Sequence, residues 1–141
     1  MRTVSASAPK RLPCLAASTN RRDVTIVFTP AAVQAARMFV EPAVKLIEQL
    51  PEGTERLRAE LDVRLVEGMA VSPLYGLAST ERLRTYQRVC ELSERLGDIS
   101  AEVQGRINVA GVYMSRGEVS RSLEIMQRCV ELAQRSAGNR G

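Results

Sequence analysis

Residues 79–138 read STERLRTYQRVCELSERLGDISAEVQGRINVAGVYMSRGEVSRSLEIMQRCVELAQRSAG, and this stretch decides the fold. Three apolar-periodic segments are separated by Gly97-Asp98 and by Arg116-Gly117. A glycine just past the last periodic residue is a common helix stop, because it enters the left-handed region without a Cβ penalty. Ser79 or Thr80 stands where a side-chain oxygen can accept from the open amides of a first turn. In the helix that follows, Leu83, Tyr86, Val89, Cys90, Leu92 and Leu96 fall on the apolar side. The next helix, over about residues 100–115, carries Val103, Ile107, Ala110 and Met114 at i, i+4, i+7 and i+11. The last, over residues 118–137, places Val119, Leu123, Met126, Val130 and Ala133 on one face and closes at Gly138-Asn139. It has a further apolar set, Ile125, Cys129 and Leu132, which a single neighbour is not expected to cover.

The pattern extends upstream. Thr54 is placed to cap a helix carrying Leu57, Leu61, Leu65 and Gly68 along one stripe to about Val71. Residues 72–78 (SPLYGLA), with Pro73 and Gly76, read as a loop. Pro30 suits a first helical position, so a helix is expected over residues 31–50. Pro42 inside that helix should kink or split it, and Pro51-Glu52-Gly53 ends it. Residues 23–29 (DVTIVFT) have brief β-character but no partner strand, and residues 1–22 are aperiodic and rich in Ser, Ala, Pro and Arg. The division is thus a disordered basic leader over 1–29 and a helical domain over 30–141. About five helices joined by short turns make an all-α, antiparallel stack of helix pairs.

The chain repeats itself. RVCEL at 88–92 and RCVEL at 128–132 lie 40 residues apart, each late in the second helix of a pair, and PAVKLIEQL at 42–50 is a weaker copy. Counted from the turn glycine Gly117, Ala110 takes a small position and Tyr113 an aromatic one. Ser122, Met126 and Cys129 follow as small, large and small. This register resembles the tetratricopeptide repeat family, with Arg106 where an aromatic is common, Ser122 for Ala and no closing Pro. Residues 42–139 are also similar, segment by segment, to the tetratricopeptide-like region of large bacterial signalling proteins that join an adenylate cyclase or a helix-turn-helix output to an ATPase. The resemblance implies a TPR-like α-solenoid that binds a protein or peptide through the first helix of each pair. The inner-wall positions it implies are Gln104, Ile107, Asn108, Gly111 and Met114, Asn108 standing where peptide-binding members bond ligand backbone. It also implies, as an alternative, a regulatory fragment or subunit of a cyclase/ATPase or transcription-activator assembly.

The 141 residues suit one domain, with 45% hydrophobic and 26% charged residues. With no His, imidazole-based triads, metal sites and proton shuttles are excluded. The formal charge of +4 is concentrated in residues 1–22, which hold Arg2, Lys10, Arg11, Arg21 and Arg22 and no acid. The rest is near neutral with mixed signs, so nucleic acid is not the expected partner. Cys14, Cys90 and Cys129 are odd in number and lack metal or disulfide spacing, which fits free thiols in a reducing, cytoplasmic setting. No apolar run approaches the ~20 residues of a membrane span, and the start lacks a secretory apolar segment. Glu91, Glu94, Glu102 and Glu118 are read as solvating polar faces or helix ends, and Cys90, Cys129, Met69, Met114 and Met126 as core packing. No catalytic, cofactor or metal residue is therefore assigned, and the expectation is a non-enzymatic interaction module, with self-association through its terminal helices as one outcome.

Overall fold

The same turn is built twice in this chain. At Gly97 (φ 67°) the amide donates to the Glu94 carbonyl at 3.2 Å, and the Asp98 amide to the Ser93 carbonyl at 2.9 Å. At Gly117 (φ 80°) the amide donates to Met114 at 3.0 Å, and Glu118 to Tyr113 at 2.8 Å. Both are the paired 5→2 and 6→1 closure that satisfies the last carbonyls of a helix, and both need the left-handed conformation that glycine adopts freely. Asp98 then starts the next helix, its carboxylate accepting from the Ala101 amide at 3.0 Å. Ser79 does the same for the helix before, accepting from Arg82 at 3.2 Å. A glycine stop and an oxygen-bearing start within two residues force the chain to reverse.

The structure is a computed structural model that describes residues 30–138. The expected basic leader over 1–29, with Cys14, lies outside the described residues. Five helices follow in order: α1 Pro30–Glu48, α2 Thr54–Tyr75, α3 Thr80–Leu96, α4 Ile99–Ser115 and α5 Val119–Gly138. Backbone contacts run between consecutive helices, α1 with α2, α2 with α3, α3 with α4 and α4 with α5. The described residues form an all-α stack of antiparallel helices with no strand.

Three boundaries differ from expectation. α1 runs unbroken through Pro42. The proline removes one bond, to the Met38 carbonyl, and both residues are exposed, so water can take its place. α2 continues through Pro73 to Tyr75, and the expected loop over 72–78 shrinks to 76–79. Pro73 is exposed in the last turn, and the Gly76 amide closes that turn on the Ser72 carbonyl at 2.9 Å. Thr54 is the first helical residue rather than the cap; Gly53 precedes it with no side-chain cap.

The core gathers Leu61 of α2, Tyr86, Val89 and Leu92 of α3, and Ala101 and Val109 of α4. α3, the middle helix, therefore supplies half of it. Two glycines set its distance from its neighbours. A Cβ on Gly68 of α2 would fall 2.6–2.9 Å from the Tyr86 ring, and one on Gly105 of α4 would fall 2.9 Å from Cys90 Sγ. Such backbone-to-side-chain proximity lets helices approach closely and fill the groove between them.

The expected inward faces of α4 and α5 are corrected. On α4 the buried residues are Ala101, Glu102, Gly105, Val109, Ala110 and Val112, while Ile107 and Met114 of the expected stripe are exposed. On α5 the buried residues are Ser122, Cys129 and Leu132, with Ile125 half-buried. The expected core stripe Val119, Leu123, Met126 and Val130 is 40–54% exposed, and Ala133 is exposed too. Among the described residues helix α5 has two apolar faces but one neighbouring helix, and α4 covers the face that carries the small residues Ser122 and Cys129, which allow closer approach.

Candidate functional site

The polar groups between the helices are largely engaged with one another. Arg88 of α3 grips the Glu60 carboxylate of α2 with two bonds, at 2.8 and 2.9 Å, and reaches Glu91 at 3.0 Å. Its hydrogen bonds hold the Glu60 carboxyl below the usual range, against the opposing effect of burial. Arg106 of α4 bonds Glu102 at 2.8 Å and also Glu94 of α3. Glu102 is thus buried in an ion pair, not on a solvated face, and Arg106 fills the position where the repeat pattern favours an aromatic. Burial pushes the Cys90 thiol up to about 11, and raises Cys129 likewise, so neither is an activated nucleophile. Cys129 is buried and Cys90 half-buried, as small apolar residues. A 40-residue shift pairs Cys129 with Val89 of α3, which is fully buried. Among the described residues no cluster of three or more Cys, Asp or Glu side chains is arranged to hold a metal.

The row expected to form a binding wall lies on one side of α4. Gln104, Ile107 and Met114 are exposed, and Asn108 and Gly111 are half-buried. Asn108 is committed within the protein at both ends of its carboxamide. Its Oδ1 accepts from Arg82 Nη2 at 2.8 Å, and its Nδ2 donates to the Gln104 carbonyl at 2.9 Å. These bonds use one N–H and one lone pair of the carboxamide, which carries a second of each, so they fix its orientation without precluding the backbone-binding role implied for Asn108. Arg82 also lies 5.7 Å over the Tyr86 ring and 3.8 Å from where a Cβ on Gly111 would stand, so it flanks the row. What the row presents outward is Ile107 and Met114, hence apolar surface, with Gln104 beside them. Of the three methionines read as core, Met114 and Met126 are instead exposed on α4 and α5, and Met69 is half-buried.

Two features were not legible beforehand. A groove of about 480 Å³ runs between α1, α2 and α3, floored by Val40, Val71 and Leu74. Arg37, Arg84 and Arg88 line it, Arg37 stacking 5.2 Å over Tyr75. Its residues come from three helices, and no spacing within one segment announces it. The second is the α5 stripe, visible as a periodic row but assigned to the wrong side. Met114 lies in the last turn of α4 and Val119 begins α5, so the α4 row and the α5 stripe meet at the same turn.

No protein-family model, curated protein or solved structure matches this chain. No helix among the described residues is long and apolar enough to cross a membrane.

Proposed function

We propose that this chain is a non-catalytic, tetratricopeptide-like module for protein–protein interaction. The observation that carries the reading is the contrast between its two kinds of surface. Charged side chains pair across helices, as Arg88 with Glu60, and along them, as Arg106 with Glu102, whereas Ile107 and Met114 of α4 and Val119, Leu123, Met126 and Val130 of α5 stand 40–54% exposed. A concentration of exposed aliphatic side chains marks a place where another chain docks. The 40-residue repetition and the consecutive packing support a stacked helix-pair architecture, in which each pair covers its neighbour and the ends stay open.

The test uses the full chain as bait in an extract of its source cells, beside an Ile107→Glu, Met114→Glu variant. The expected result is a partner whose affinity, measured again with purified components, falls at least ~10-fold in the variant, the loss of roughly one or two anchoring residues. Partners captured equally by both chains would refute the α4 row as the binding wall. A cyclase, an ATPase or a helix-turn-helix regulator as the dependent partner would place the module in a signalling assembly.

A further inference from the structure

We propose that the exposed face of α5 docks a second copy of this chain, the two α5 helices pairing antiparallel about a twofold axis. This deepens the interaction-module reading by naming the partner of one surface. The exposed residues Val119, Leu123, Met126, Val130, Ala133 and Ala137 are spaced 4, 3, 4, 3 and 4 residues apart. That is the seam of a helix-to-helix coiled pair, in which the interval averages 3.5 residues, and it runs the length of the helix. On α3 a 40-residue shift places Leu83, Tyr86 and Cys90 at the positions of Leu123, Met126 and Val130. Cys90 packs against Gly105 of α4, whereas Tyr86 faces Gly68 of α2. At Val130, therefore, the open seam of α5 stands where the equivalent helix inside the stack receives its next neighbour.

Two features of the seam select a second copy and an antiparallel direction. Its first part carries large side chains, Val119, Leu123, Met126 and Val130, and its end carries Ala133 and Ala137. Antiparallel pairing matches Leu123 with Ala133, Met126 with Val130 and Val119 with Ala137, so that large meets small along most of its length. Parallel pairing would set alanine against alanine at one end and leave the helices apart there. The residues flanking the seam are all uncharged: Ser120, Gln127 and Gln134 on the outer side, Ser122, Cys129 and Ser136 on the side toward α4. Flanking charges are what usually forbid self-pairing or select a different partner, and none is present. The helix's charges, Arg121, Arg128, Arg135, Glu124 and Glu131, lie outside the seam and these flanks. Helix α1 also exposes an apolar row, Ala35, Phe39, Pro42 and Leu46, but a proline stands within it and the charged Lys45 flanks it.

The experiment is light scattering after size exclusion on the full chain, with Leu123→Glu and Phe39→Glu variants, and helicity checked by circular dichroism. The expected result is a mass twice the 15.5 kDa of one chain at micromolar concentration. Phe39→Glu should leave it unchanged, and Leu123→Glu should return it to one chain with helicity retained. Direction is read from Gln127→Cys and Ser120→Cys, each oxidised beside the parent chain to account for its native thiols. In the antiparallel pair the two copies of position 127 face each other near the axis. The two copies of position 120 stand about 24 Å apart at 1.5 Å per residue. Gln127→Cys should therefore give a covalent dimer and Ser120→Cys should not. A monomer at ~100 µM, a dimer lost with Phe39→Glu but not Leu123→Glu, or equal cross-linking at both positions would overturn the proposal. Loss of the dimer leaves capture by the α4 row unaffected, so the two readings fail separately.

Discussion

Two glycines six residues apart in α4 provide a controlled test of how tightly this stack is packed. Alanine is favoured over glycine inside a helix by about 1 kcal/mol, and Gly105 and Gly111 should share that gain. Their surroundings differ. The Cβ of Gly111→Ala meets only Arg82 Nη2, at 3.8 Å, an ordinary contact with the end of a flexible side chain. The Cβ of Gly105→Ala falls 2.9 Å from Cys90 Sγ, 3.0 Å from Val89 Cγ1 and 3.4 Å from the Cys90 backbone nitrogen. Val89 is fully buried and β-branched, with one strongly favoured rotamer in a helix, so it cannot turn aside. Relief requires α3 and α4 to separate by about half an ångström, given contacts that are optimal near 3.5–4.0 Å. Overpacking of this kind costs roughly 1–3 kcal/mol. Gly111→Ala should thus stabilise by about 1 kcal/mol, and Gly105→Ala should fall about 1–3 kcal/mol below it. At about 4 °C per kcal/mol for a chain of this size, the two midpoints should differ by roughly 4–12 °C. Thermal and urea unfolding followed by circular dichroism, at one fixed protein concentration, measures the gap. Equal stabilities, or Gly105→Ala the more stable, would refute the close crossing of α3 and α4.

The carboxylates of the stack make its acid limb predictable. Asp98 is held below its ordinary value first by the Ala101 amide and then by Arg58, so its contribution is present above pH 3.8 and is lost as pH falls below it. Asp98→Ala should cost about 1–2 kcal/mol at pH 7, as loss of a helix cap does, and the difference from the parent should shrink toward pH 2 in urea titrations. Glu60 behaves in the same direction below pH 4.5, with Arg88 the main cause, so Arg88→Met should flatten the acid limb; Arg88 is over a third exposed, which limits the loss at pH 7 to about 1 kcal/mol. In a Cys14→Ser, Cys90→Ser chain, the buried thiol of Cys129 should react with a thiol-specific disulfide reagent at pH 8 only at the rate of unfolding. Rapid titration in the native protein would contradict its burial.

The start of α3 and the two turns that flank α4 were readable in the chain itself, because they are local chemistry. The Ser79 oxygen reaches an amide three residues on, and Gly97 and Gly117 close carbonyls within six residues, so each boundary is written in a handful of adjacent side chains. Pro42 and Pro73 misled for the same reason: a proline's local effect is disruptive, but at exposed positions water and flanking packing absorb one lost bond. The all-helical stack and the free, unactivated state of Cys90 and Cys129 followed from pattern and composition. Which face of each outer helix is buried did not. Helix α5 carries Val119, Leu123, Met126 and Val130 on one side and Ile125, Cys129 and Leu132 on another, and both satisfy a 3.6-residue period. Periodicity states that a face is apolar; it does not state whether a neighbour exists to cover it. That depends on α4 approaching along the small residues Ser122 and Cys129, on Arg82 engaging Asn108 from 26 residues away, and on Arg88 reaching across to Glu60. These contacts join separate helices, and only their packing in three dimensions decides which surface the protein hides and which it offers.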